Sequence, residues 1–153
     1  MSKLVWKVKR FDELSTKELY QILKARNEVF VVEQNCPYLD TDGTDEKALH
    51  LWAENEGEVW AYCRLFPQGI KYPESSIGRV LTTEKSRGGG VGKQMMMYAV
   101  SCIENVFHTS EIRISAQDYL LEFYGSFGFV DTGKKYLEDD IPHTEMLRKL
   151  FKY

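Results

Sequence analysis

Arg87-Gly88-Gly89-Gly90-Val91-Gly92-Lys93 is the stretch on which the reading of this chain turns. It follows a strand-like run, Ile77 to Leu81, and opens a helix-like one, Val91 to Val106. A glycine-rich turn between strand and helix lets backbone N–H groups close around an anion. The helix N-terminus adds unpaired donors and the positive end of a dipole. A phosphate-bearing ligand is the expectation here; the bland alternative is a flexible surface turn ahead of a helix.

Three phosphate-binding patterns compete for the stretch. The Walker pattern needs a glycine five places before Gly92 and a hydroxyl after Lys93. The chain offers Arg87 and Gln94, and fails twice. The dinucleotide pattern GxGxxG fails as well. Started at Gly88 it ends on Lys93, and started at Gly90 it ends on Met95. The third pattern is R/Q-x-x-G-x-G/A, and Arg87, Gly90 and Gly92 fill each of its fixed positions. There the chain resembles the GNAT acetyltransferases, whose pyrophosphate loop this is, and the resemblance implies acyl-coenzyme A as ligand.

A second match lies about thirty residues on. Tyr124-Gly125-Ser126-Phe127-Gly128-Phe129 fits the family's Y-x-x-x-G-F signature. In that family the tyrosine lies near the thioester sulfur and often serves as general acid, so Tyr124 is the implied acid. The alternative is that Tyr124, Phe127 and Phe129 are aromatic core, and for the two phenylalanines packing is the preferred reading. Seven residues before the tyrosine the family often has an asparagine that contacts pantetheine; this chain has Gln117, whose amide can make the same bonds. The resemblance also implies that pantetheine lies along the strand before the loop, against Val80, Leu81 and Thr82. A splay or bulge there would free a backbone N–H near Leu81 or Thr82 for the thioester carbonyl. In the loop itself Arg87, Gly88, Gly90, Val91, Gly92 and Lys93 are the implied coenzyme contacts, with Arg87 and Lys93 neutralising phosphate unless Arg87 only caps the turn.

A narrower likeness runs from Arg26 to Met146. The segment Arg26-Asn27-Glu28-Val29-Phe30-Val31-Val32-Glu33-Gln34-Asn35-Cys36-Pro37-Tyr38 carries it, with Asp42-Gly43-x-Asp45, His50, Ala116-Gln117 and Ile141-Pro142-His143. It resembles the ElaA-like branch of the family. The R-x-x-V-F portion is also similar to acyl-homoserine-lactone synthases, which share the fold and run longer. The implied activity is direct transfer of acetyl from acetyl-CoA to a primary amine on a small molecule, peptide or protein. A non-catalytic acyl-CoA sensor and a lactone-type synthase are the alternatives.

Such a transfer needs a base for the ammonium, a donor for the oxyanion and a proton for the departing thiolate. Glu33 is the first candidate base, where the first helix gives way to a long loop; a solvated carboxylate is its bland reading. His143 is the second, because neutral imidazole accepts a proton near pH 7; its bland reading is a histidine satisfied by backbone. His50 is third and is expected to pack at the start of its strand. Cys36 raises a ping-pong acyl-cysteine, but no adjacent histidine or basic cluster activates it. Asp40, Asp42, Asp45 and Glu46 form an acidic loop that steers cationic amines or, preferably, is simply solvated. It does not keep EF-hand spacing, since the twelfth position from Asp40 is Leu51.

The remaining sequence sets the frame. With 153 residues, 43% hydrophobic and 28% charged, the chain reads as one domain, 1–153, with its own core. A net charge of −3 argues against nucleic-acid binding. No apolar run approaches the roughly 18 residues of a membrane span, and Lys7, Lys9 and Arg10 interrupt any signal-peptide core. Cys36, Cys63 and Cys102 show no paired spacing and read as reduced thiols of a cytoplasmic protein. Three scattered histidines suggest no metal site. An open sheet edge permits a homodimer.

Period-2 and helical spacings predict the elements. Leu4 to Arg10 reads as a half-exposed strand, ending in an exposed Lys9 and Arg10. Ser15 and Glu18 form a capping box for a helix ending near Val29. Val31 to Lys47 reads as a loop, followed by strands Ala48–Glu54 and Val59–Phe66 around a Glu56-Gly57 turn. Ile77–Thr83 precedes the glycine loop, and the next helix is expected to bury Val91, Met95, Ala99, Cys102 and Val106. Glu111–Ala116 is a strand, Asp118 the cap of a short helix, and Phe129–Thr132 and Thr144–Leu150 close the sheet. The order implies a mixed α/β fold, a GNAT-type mixed sheet flanked by helices.

Overall fold

The computed structural model describes residues 4–149. Strand β1 (Val5–Arg10) leads into helix α1 (Thr16–Arg26), then β2 (Leu49–Asn55), β3 (Glu58–Phe66) and β4 (Ser75–Thr82). Helix α2 (Val91–Val106), β5 (Ile112–Gln117), the short α3 (Leu121–Gly125), β6 (Val130–Glu138) and β7 (Ile141–Arg148) follow. The seven strands form one sheet in the order β1-β2-β3-β4-β5-β7-β6. Only β4 and β5 run parallel; the other neighbours are antiparallel. This is the mixed α/β architecture the sequence predicts. Among the described residues no helix is long and apolar enough to cross a membrane.

Side chains alternate across a strand, and the sheet uses both faces. Leu51, Ala53, Ala61, Cys63 and Leu65 pack under α2 against Met95, Met96, Ala99 and Ile103. On the opposite face Trp52 and Tyr62 pack under α1 against Ile22, Ala25, Val29 and Phe30. The α2 stripe is rotated from the expected one: Met96 and Ile103 are buried, Cys102 is partly so, and Val106 is 52% exposed. Val106, in the last turn of α2, belongs to neither core cluster.

The first helix begins as the capping box requires, with Ser15 Oγ accepting from Glu18 N–H at 3.0 Å and Glu18 Oε1 accepting from Ser15 N–H at 2.9 Å. Lys7 and Lys9 reach the same glutamate, so Lys9 is not a free strand end. Helical winding does not stop near Val29. It widens into a π-type segment, Asn27–Glu33, that carries consecutive Val29 and Phe30 both onto the buried face.

Strands β6 and β7 are longer than predicted. β6 is an exposed edge strand rich in charge, so its sequence lacks apolar alternation. β6 and β7 join through Asp139 and Asp140, both with positive φ (50° and 63°), in a two-residue hairpin loop with Glu138 opposite Ile141. Leu150, expected in the last strand, lies outside the described residues. Asp118 does not cap α3; its carboxylate accepts from Thr144 Oγ1 at 2.6 Å and ties that helix to β7.

Candidate functional site

Strands β4 and β5 pair only at Ser75↔Ile112 and Ser76↔Arg113, then part. Beyond that point β4 has a neighbour on one side only, and the gap is a cleft of about 780 Å³. The residues implied for the coenzyme and the two leading base candidates line it: Glu33, Val80, Leu81, Thr82, Arg87, Gly88, Gly90, Val91, Gly92, Lys93, Gln117, Tyr124 and His143. Cys36 lines it too; His50 does not.

One end of the cleft is the glycine loop. Gly90 is the N-cap residue of α2 with φ +79°, and Gly88 has φ +90°. Both conformations exclude most side chains. Gly90 C=O accepts the first helical bond, from Gln94 N–H at 3.1 Å. That leaves the N–H groups of the first turn directed at the cleft. A Cβ on Gly92 would stand 3.3 Å from Thr82 Cγ2, so the residue is held small where the helix crosses the end of β4.

The open edge of β4 carries the expected bulge. Gly78 faces Arg64 and Leu81 faces Tyr62, so Arg79 and Val80 together oppose Cys63. Thr83 N–H donates to Trp60 C=O at 2.9 Å. Ladder alternation then turns Leu81 toward β3 and Thr82 toward the open edge. Arg87 stands beside this point. Its guanidinium donates to Thr82 C=O at 2.7 and 3.1 Å and to Glu33 Oε1 at 2.7 Å. It thus caps the strand end and ties it to the π-type segment, the alternative the sequence held open for it.

Tyr124 is 5% exposed, edge-on to Phe123 and Phe129. Burial pushes its phenol well above the ordinary range, so it is a neutral O–H donor. Gln117 ends β5 and approaches Gln34 at 3.5 Å. His143 sits on β7, opposite Gln117 and Tyr136 in the sheet register. Its Nδ1 lies 2.7 Å from Ile141 C=O and its Nε2 lies 3.2 Å from Glu138 Oε2.

Two candidates change character in the structure. His50 is fully buried, 2.7 Å from Tyr62 O–H and 2.9 Å from Asp45 C=O, and burial lowers its basicity. It is structural, as expected. Three carboxylates of the acidic loop are bound in ion pairs, and only Glu46 stands exposed without one among the described residues. Asp40 accepts from Arg26 (2.7 Å) and Arg79 (2.8 Å), and Asp45 from Arg26 (2.7 Å) and Arg64 (2.9 Å). Asp42 pairs with Arg64, Arg79 and Lys71. The guanidinium groups hold the Asp42 and Asp45 carboxyls well below the usual range, against burial that opposes ionisation. Sequence reasoning missed Arg64 and Arg79 in this cluster. Arg64 had a signal, a charge within the buried run of β3.

Cys36 Sγ donates to Asp139 C=O at 3.3 Å, and burial with the nearby Asp139 and Asp140 charges raises its thiol. It is no ready nucleophile.

The model of the acetyltransferase (GNAT) domain matches residues 10–150. The chain is 42% identical to an acyl-CoA N-acyltransferase from Pseudomonas aeruginosa, with a TM-score of 0.91 over 95% of this chain and 99% of that one. The Escherichia coli ElaA crystal structure matches with a TM-score of 0.87 at 37% identity, over 95% and 99% of the two chains. A UPF0039 protein of Schizosaccharomyces pombe is 40% identical over 98% of this chain and all of its own.

Proposed function

Since the chain belongs to the GNAT acyltransferase family, and within it to the ElaA-like group, we propose that its cleft holds acetyl-CoA and passes the acetyl group directly to a primary amine. The family uses acyl-CoA as co-substrate. The observation that supports the finer reading is the parted β4–β5 edge, which runs from the bulge at Arg79–Val80 to the N-terminus of α2. An extended pantetheine arm adds to such an edge as a short strand would. The pyrophosphate then meets the first-turn N–H groups of α2 and the charge of Lys93.

The chemistry divides among residues of the cleft. His143 takes the ammonium proton: its Nδ1–H is committed to Ile141 C=O, which leaves the Nε2 lone pair to accept. Glu33 is already engaged by Arg87. The freed amine forms the C–N bond at the thioester carbon, with Thr82 N–H turned toward the developing oxyanion. As the C–S bond breaks, Tyr124 gives the sulfur a proton and regains one, through solvent, from the surplus proton on nitrogen.

Calorimetric titration with acetyl-CoA, with ATP as control, followed by an amine screen monitored by released thiol, tests the reading. Micromolar acetyl-CoA binding, lost in Gly90→Asp, and a kcat lowered by about 10²-fold or more in Tyr124→Phe are expected. Absence of acetyl-CoA binding overturns the coenzyme reading. Binding with no turnover of any amine makes the protein an acyl-CoA sensor instead.

A further inference from the structure

We propose that Glu138 is the positioning partner of His143: it docks the incoming ammonium group and then holds the imidazolium that proton transfer creates. The inference rests on the base assigned above to His143. The hairpin loop Asp139-Asp140 sets Glu138 opposite Ile141 and Tyr136 opposite His143. Period-2 alternation then puts Tyr136, Glu138, Ile141 and His143 on one face, with Ser115 and Gln117 of β5 beside them.

Both ring nitrogens of His143 oppose acceptors, a carbonyl at Nδ1 and a carboxylate oxygen at Nε2. Only the imidazolium donates to both. A proton taken up at Nε2 is therefore donated to Glu138, with Nδ1–H already on Ile141 C=O. At 3.2 Å nothing fits between Nε2 and the carboxylate oxygen, so the ammonium group comes in beside the pair, one N–H donating to Glu138 and another to the Nε2 lone pair. The proton passes from the amine nitrogen to Nε2, the new N–H turns to Glu138, and the neutral amine moves to the thioester. The side chain of Glu138 is 52% exposed, so the proton then leaves to water.

The surroundings fix both groups. The Tyr136 ring stacks on His143 at 6.1 Å and 17°. Tyr136 O–H donates to Ser115 Oγ, and Ser115 Oγ donates to Glu138 Oε2 at 3.5 Å. Next door, Thr144 Oγ1 links Lys135 and Asp118. Asp139 heads the hairpin turn, and Glu33 and Tyr124 line the same cleft. Glu138 is the one carboxylate in ion-pair contact with the imidazole among the described residues.

Proton NMR titration of the histidine ring signals of the full chain, with His143 assigned by His143→Gln, tests the pairing. The measurement needs no substrate. In Glu138→Gln the KM for the best amine of the screen rises while kcat changes less, because the ammonium group loses the carboxylate that docks it. Ethylammonium chloride perturbs the His143 signal in the wild type and not in the variant. Because Glu138 is half-exposed, its melting temperature stays unchanged. An unchanged KM, or an equal ethylammonium response in both proteins, overturns the proposal. Full activity in His143→Gln instead overturns the base assignment, while the NMR coupling still reports on the pair.

Discussion

Replacing Arg26 with methionine tests how far the buried charge cluster supports the fold. Arg26 has no exposed surface. It donates to Asp40 Oδ2 and Asp45 Oδ1 at 2.7 Å each and to Asp40 C=O at 3.0 Å. Its guanidinium also lies 5.8 Å from the Tyr62 ring centre. Breaking a buried ion pair from one side costs about 3–5 kcal/mol, because the partner charge stays buried. Here both partners keep a cation: Asp40 retains Arg79 at 2.8 Å and Asp45 retains Arg64 at 2.9 Å. The lower bound, about 3 kcal/mol, is therefore expected. For a chain of this size that lowers Tm by roughly 6–12 °C. Urea denaturation followed by tryptophan fluorescence measures it, and Asp45→Asn in both backgrounds isolates the pair. The double variant should lose at least about 1 kcal/mol less than the sum of the single losses. A loss under about 1 kcal/mol for Arg26→Met, or strict additivity, refutes the claim that these charges act as one unit.

Acid sensitivity follows from Asp42 and Asp45, held below the usual carboxylate range by their guanidinium partners, and from Glu18 and Glu74, whose pKa values fall to about 2. A depressed folded pKa stabilises above the unfolded value, about 4, and that contribution is lost as pH falls through the folded one. Unfolding free energy should thus decline gently below about pH 6.5, where unfolded His50 takes up a proton that its buried folded form resists, and drop steeply between about 4 and 2; a flat profile down to pH 2 would contradict the cluster's ionisation. Cys36→Ser should keep kcat within about twofold, since a raised, hydrogen-bonded thiol forms no acyl-enzyme; trapping of an acetylated Cys36 by mass spectrometry would sink this. Gly92→Val should weaken acetyl-CoA binding about tenfold or more with little change in kcat, because its side chain collides with Thr82 at the mouth of the loop. Unaltered affinity would mean the loop is not the binding surface.

The parts of the molecule that the sequence made legible are those with local signals. The capping box at Ser15 and Glu18, the Glu56-Gly57 turn and the whole span of α2 obey short-range rules, and they stand where expected. The glycine loop was readable because φ > 0 at Gly88 and Gly90 leaves a residue-type trace. The charge cluster was not. Arg26, Arg64 and Arg79 belong to three elements, and what joins them to Asp40, Asp42 and Asp45 is tertiary packing without a period. The edge strand β6 was read only as far as Thr132, and the rest escaped for the opposite reason: its solvent-facing sequence has no apolar side to alternate with. Glu138 escaped with it, since its role depends on a hairpin whose length was misjudged.

The cluster and the cleft are one construction. Arg79 is a non-glycine residue with φ +50° inside a strand, a conformation that costs about 1–3 kcal/mol and persists only where its surroundings over-determine it. The surroundings here are Asp40, which accepts from Arg79 Nε at 2.8 Å and, through its carbonyl, from Nη2 at 3.0 Å, and the Tyr38 ring, 5.7 Å from the guanidinium carbon. Asp40 is itself held by Arg26 at the end of α1. The strained residue is the first of the two that bulge against Cys63, and it lies in the stretch where β4 has left β5. Without the bulge the alternation of β4 would slip by one residue, and Leu81 rather than Thr82 would face the open edge. Substituting Asp40 with asparagine should therefore cost turnover as well as stability, although Asp40 is 3% exposed and does not line the cleft. A kcat/KM that falls about tenfold under conditions where the variant remains fully folded would show the cluster setting the register of the open edge; an unchanged kcat/KM would show that it only holds the fold together.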